Sequence, residues 1–238
     1  GNLNLAAVDR VIFQGDYSGS APCAVHLERV ALAEIPAQGV VRIVGSPQVG
    51  DPYGAAYHST IQAAVNASRP RDTVWVRPGT YTGSVSLTKD YGLPETALRI
   101  VADPSGPVIL QGTPGINASN NFTGAEYGFT WDNTQNAATM IRANHIEIEG
   151  FIVRHFLNAG FGNRNPGKIT IRSCFVHSNG SAGIAMNFPR ADTRIRAIGN
   201  VAFLNGWGEG WAGGIHINNK DVRLNSLAAD AGNNPLPQ

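Results

Sequence analysis

The sequence predicts an all-β fold, a parallel β-helix of three short sheets with a short capping helix at its start. The first observation is a recurring pair of short strands. It reads His145–Gly150 with Phe151–Arg154, then Lys168–Ser173 with Cys174–His177, then Arg194–Gly199 with Asn200–Phe203, with Asp221–Ser226 as a partial fourth copy. The second is that apolar residues fall at every second position, the period of a strand with one buried face. The third is a small residue, Gly150, Ser173 or Gly199, at the bend between the two strands.

The copies align position by position. Ile146, Ile169 and Ile195 share one site, Ile148, Ile171 and Ala197 the next inward one, and Ile152, Phe175 and Val201 open the following strand. The Ile146-type positions lie 23 and then 26 residues apart. A period of that size marks a solenoid, because one unit cannot bury its own apolar face and must stack on the next. The fixed Leu and Asn spacing of a leucine-rich repeat is absent.

Composition narrows the function classes. The 238 residues suffice for one domain with a sizeable core. With 18 Lys and Arg against 17 Asp and Glu, the formal charge is +1 and there is no basic run, so no nucleic-acid partner is expected. Charged residues make up 15% against a usual ~25%, and Gly reaches 28, a balance that suits a secreted or cell-surface all-β protein. No apolar run reaches the ~18 residues of a membrane span. Cys23 and Cys174 are compatible with one disulfide or with two free thiols, and their spacing does not decide.

In chain order, residues 1–56 hold two apolar stretches, Val8–Phe13 and Val40–Val44, and read as irregular strands packed on the body or as the remnant of a neighbouring module. Residues 57–238 form the β-helix domain. Ile61, Ala64 and Val65 fall at helical spacing after a Ser59 or Thr60 cap, placing a short amphipathic helix over 59–68 at the N-terminal end of the solenoid. Arg71–Gly83 alternates until Pro78-Gly79 turns the chain. Short strands follow at Leu98–Ala102 and Pro107–Gln111. A long loop, Gly112 to about Ala137, contains Asn117, Asn120, Asn121, Glu126, Tyr127, Trp131 and Asp132. It is expected to fold over one side of a sheet and wall a groove. The chain stops soon after the partial fourth unit, so it is expected to be either an unusually short helix or part of a larger protein.

The run Thr60-Ile-Gln-Ala-Ala-Val65, then Asp72-Thr-Val-Trp-Val76, then Pro78-Gly-Thr-Tyr81, resembles the opening of right-handed β-helix proteins of the pectate-lyase-like superfamily. The later units resemble that family's repeats, and Asn200-Val201 looks like its asparagine turn. The resemblance covers roughly residues 57–230. It implies that the Ile146-type strands form the second sheet, the Ile152-type strands the third, and Gly183-Ile184 and Gly214-Ile215 strands of the first. It also implies a polysaccharide groove on the outside of the first sheet.

On that face several residues are candidates. The loop Asn205–Gly213 carries Trp207 and Trp211 among four glycines, and an exposed indole offers a flat apolar face for a sugar ring. The alternative is that one Trp covers the end of the core. His216 stands between Ile215 and Ile217, so it points outward if they point inward. With Glu209 and Lys220 it forms a candidate catalytic acid–base cluster; the alternative is a surface histidine. Arg190 could pair with a substrate carboxylate or simply with Asp192. Asn187, Asn218 and Trp131 complete the substrate-binding set. Glu147 and Glu149 alternate with Ile146 and Ile148, so they face solvent on the second sheet, with Glu149 beside Arg172 of the next rung.

A lyase on a uronate polymer needs a base and a cation or Ca²⁺ against the carboxylate, and His216, Lys220 and Arg190 could supply these groups. A glycoside hydrolase needs two carboxylates, for which only Glu209 with Asp132 or Glu126 could serve. The paired-Asp and Gly-His motifs of the polygalacturonase branch are missing, and no acidic Ca²⁺ cluster of the pectate-lyase branch is evident. The lyase is the first reading. A non-catalytic fibre or adhesin module that self-associates through its C-terminal rung, and a carbohydrate-binding module, are the alternatives.

Overall fold

The computed structural model describes residues 39–116, 122–131, 143–162, 167–187, 194–208 and 213–218, all within the compact unit Pro36–Gln238. Three all-parallel sheets make a β-helix. The second sheet runs, in spatial order, Arg194–Ile198, Lys168–Arg172, Ile146–Glu149, Leu98–Ala102, Thr73–Val76, Val41–Val44 and Ala56–His58. The third runs Val201–Phe203, Phe175–His177, Ile152–Arg154, Val108–Gln111 and Gly79–Thr82. The first runs Gly213–Asn218, Ala182–Asn187, Ala159–Gly162, Tyr127–Thr130 and Val85–Ser86.

The register matches the repeat alignment. Ile146 pairs with Ile169 and Ile169 with Ile195, while Ile152 pairs with Phe175 and Phe175 with Val201. Inward columns fill the core: Val74, Ile100, Ile148 and Ile171 from the second sheet, Leu110, Val153 and Val176 from the third, and Val85, Phe129, Phe161 and Ile184 from the first. Each side chain buried in this way contributes roughly 1.5–3 kcal/mol, and the stack gains by sharing one continuous core.

The helix spans Ile61–Ala67, and the Ala63 N–H donates to the Thr60 hydroxyl at 3.1 Å. Its buried residues Ile61, Ala64 and Val65 close the N-terminal end of the core against Val41–Val44 and Thr73–Val76. The solenoid therefore starts earlier than the sequence pattern indicates, since Val41–Val44 is a strand of the second sheet. Val8–Phe13 and Asp221–Ser226 lie outside the described residues.

The corners explain the small residues. At the bend from second to third sheet, Gly150, Ser173 and Gly199 have φ of 84°, 52° and 62°, the left-handed region that Gly enters without strain. Asn200 ties that corner to the previous rung: the Cys174 N–H donates to its Oδ1 at 3.0 Å, and its Nδ2 donates to the Ile171 carbonyl at 2.9 Å. At the corner from third to first sheet a second asparagine ladder appears. The Phe156 N–H donates to Asn179 Oδ1 at 3.0 Å, Asn179 Nδ2 donates to Asn205 Oδ1 at 3.0 Å, and Asn205 Nδ2 donates to the Val176 carbonyl at 3.0 Å. Asn179 is wholly buried.

Three sequence expectations change. Gly112–Ala137 is not simply a loop, because Tyr127–Thr130 within it is a strand of the first sheet. Trp131 follows that strand into the core and is fully buried, so it does not wall a groove or meet a substrate. Glu149 stands beside Arg172 in register as expected, but its ion pair is with Arg99 of the previous rung, at 3.8 Å. Cys174 is a buried free thiol that donates to the Arg172 carbonyl at 3.2 Å, and burial pushes its pKa up to about 12.

Candidate functional site

Strand alternation sorts the first sheet into two columns. Phe129, Phe161 and Ile184 face the core. Their successors Thr130, Gly162 and Ala185 lie on the other side, and His216 pairs with Ala185. His216 therefore sits in the outward column, as its place between two isoleucines predicts, and it is half-buried. The face beside it is made of small residues. Ala159, Ala182 and Ala185 form an apolar cluster separate from the main core, with Tyr127 packed on it and the Tyr127 hydroxyl accepting from Asn158 Nδ2 at 2.9 Å.

The rung that carries His216 is longer at one corner. Phe175 to Ile184 is nine positions, but Val201 to Ile215, the same two sites one rung on, is fourteen. The extra residues fall in Asn205–Gly213, where the tryptophans are. Trp207 is 45% exposed, and its indole N–H donates to the Ser178 carbonyl of the previous rung at 2.9 Å. This bond pins the ring at the corner, where the residue stays about half exposed. Glu209, Trp211, Arg190 and Lys220 lie outside the described residues. Asn187 and Asn218 end their strands as a register pair, and their side chains are likewise outside the description.

Next to Ser178, to which Trp207 bonds, lies an aromatic group that the sequence reading missed. The Ser178 hydroxyl lies 3.0 Å from His177 Nδ1, the His177 ring stacks on Phe203 at 4.9 Å and 17°, and His155 meets His177 edge-on at 6.4 Å. Phe203 is 44% exposed, and Phe175 on the same sheet 50%. The available signal was their register: Phe175 shares a site with Ile152 and Val201, on the opposite parity from inward Val153 and Val176.

These histidines give the fold a pH dependence. Burial, aided by the neighbouring Arg154 charge, holds His155 and His177 below the ordinary value, and burial does the same at His58 and His145. The unfolded chain then takes up protons near pH ~6.5, before the folded one does. Folding stability is complete above that value and falls as the pH drops through the lowered folded values. The urea midpoint is expected to decrease from pH 7.5 to 5, and a His155→Gln/His177→Gln variant should show a shallower decrease. An equal decrease in the variant would remove these two residues from the account.

Among the described residues no group of three or more His, Cys, Asp or Glu is placed to hold a metal ion. No protein-family model and no curated protein matches the chain. Among solved structures it is similar to the pectate lyase Pel9A, with 17% identity and a TM-score of 0.34 over 75% of this chain. The alignment spans 58% of that lyase. The β-helix assignment rests on the three parallel sheets themselves.

Proposed function

We propose that this β-helix is an extracellular polysaccharide lyase that binds a uronate polymer at the corner between its third and first sheets. The observation that carries the reading is the pinned, half-exposed Trp207 on the same rung as outward-facing His216. A sugar ring stacks on the indole, and Phe203 and His177 extend the platform towards the third sheet. His216 takes the proton next to the uronate carboxylate. The C–H pair becomes the new double bond, and the glycosidic oxygen leaves with the other chain end. Lys220 or Arg190 supplies the cation that offsets charge on the carboxylate. Glu209 returns a proton to the leaving oxygen.

The test is release of unsaturated products, absorbing in the near ultraviolet, from a panel of uronate polymers. His216→Ala is expected to lower kcat by about 10²–10⁴-fold. Trp207→Ala is expected to raise KM about tenfold with a smaller change in kcat. Failure of the wild type to release such products from any polymer rejects the lyase.

A second reading has its own observation. Ile152, Phe175 and Val201 make an outward apolar column on the third sheet, with Phe175 and Val201 about half exposed. A non-catalytic rod that self-associates would use such a stripe. It predicts concentration-dependent association in sedimentation that Phe175→Ser abolishes.

A further inference from the structure

The second sheet carries chemistry that the proposed lyase does not use. Its outer face holds a cleft of about 790 Å³ over the rungs of Ile146, Ile169 and Ile195. Lys168 pairs in register with Arg194, and Thr170 with Arg196, so the cations lie in two adjacent columns along the solenoid axis. Parallel strands are spaced ~4.8 Å apart, which sets the interval from Lys168 to Arg194. All three cations are exposed, and among the described residues none has a carboxylate partner. Of the strand carboxylates on this face, Glu147 stands in the Thr170–Arg196 column two rungs before Arg196, and Glu149 lies one column over; both reach back towards Arg99. Leu93, 52% exposed, and Pro94 supply an apolar wall.

We propose that this cleft is a second binding site, separate from the first-sheet face, that takes a linear anionic saccharide along the helix axis. Arginine forks bind carboxylates or sulfates in a bidentate way, and Arg194 and Arg196 offer two on one strand. Glu147 and Thr170 accept from and donate to sugar hydroxyls, and the Leu93–Pro94 wall covers a ring face. A nucleic acid fits less well. Its strand carries a charge every ~3.4 Å, denser than one cation per rung. The site goes beyond the lyase reading, because it requires binding and no turnover.

The experiment is calorimetric titration of the protein with an oligogalacturonate, a sulfated oligosaccharide of equal length, the methyl-esterified oligogalacturonate and single-stranded DNA. Because the first-sheet corner could bind the same oligomers, the titrations use Trp207→Ala as background. At least one anionic oligosaccharide is expected to bind in that background. Arg194→Ala/Arg196→Ala should then weaken it about tenfold or more and reduce the salt dependence by about two released ions. Arg194→Lys/Arg196→Lys should bind at intermediate strength, and both variants should melt like the parent. A carboxylate preference points to uronates, and a sulfate preference to sulfated polymers. The proposal is overturned if neither oligosaccharide binds, if the methyl ester binds as tightly, if DNA binds more tightly, or if the alanine variant is unchanged. Turnover by the wild type is read separately, so loss of the lyase leaves this result standing, and the reverse holds too.

Discussion

Asn179→Ala is expected to destabilise the protein by about 3 kcal/mol or more, among the largest effects a single polar residue can have here. Its side chain is fully buried and serves two rungs at once, accepting from the Phe156 N–H and donating to Asn205 Oδ1 and the Val153 carbonyl. Alanine removes the acceptor of the Phe156 N–H and a donor to the Val153 carbonyl in a fully buried setting. Asn205→Ala should cost less, because Asn205 is only partly buried. Urea unfolding followed by circular dichroism measures both, and a loss below ~1 kcal/mol at Asn179 contradicts the account.

Phe129→Ala is expected to cost about 3–5 kcal/mol, the range for a large aromatic removed from a core that cannot collapse. Phe129 is fully buried, stacks on Phe161 at 5.2 Å and 6°, and meets the edge of Phe151 at 5.2 Å and 75°. It joins two rungs of the first sheet to the second-to-third corner. Phe129→Leu should cost visibly less, since it keeps most of the volume. Equal losses in the two variants would point to ring geometry rather than cavity formation.

Phe129 also shows where the sequence is hard to read. The second sheet was legible because Ile146-Glu-Ile-Glu149 and Lys168-Ile-Thr-Ile-Arg172 alternate cleanly and recur. First-sheet strands such as Tyr127-Gly-Phe-Thr130 and Ala159-Gly-Phe-Gly162 hold glycines and look like loop. The structure shows why. A Cβ on Gly160 would lie 2.4 Å from Val176 Cγ1, and one on Gly128 2.6 Å from Val153 Cγ1, because the chain passes tightly over the third sheet's inward side chains. Close approach there removes the residues that normally announce a strand.

The candidate sites divide in the same way. Trp207 and His216 stand out in sequence, one by its glycine-rich setting and one by its isoleucine neighbours. Phe175, His177 and Phe203 do not, since an apolar residue at an outward position resembles core until the register is known. Lys168 and Arg194 are 26 residues apart and become neighbours only through strand pairing.

The asparagine bonds also give the solenoid a direction. At two of its three corners the side chain that secures a turn comes from the following rung: Asn200 holds Cys174 and Asn205 holds Asn179. At the remaining corner Asn144 reaches forward to the Lys168 N–H. A rung freshly added at the C-terminal end thus latches two bends of the rung beneath it, as a ratchet tooth holds the one before. Shortening the chain from that end would release those two latches on the rung left outermost. Shortening it from the other end would release only one.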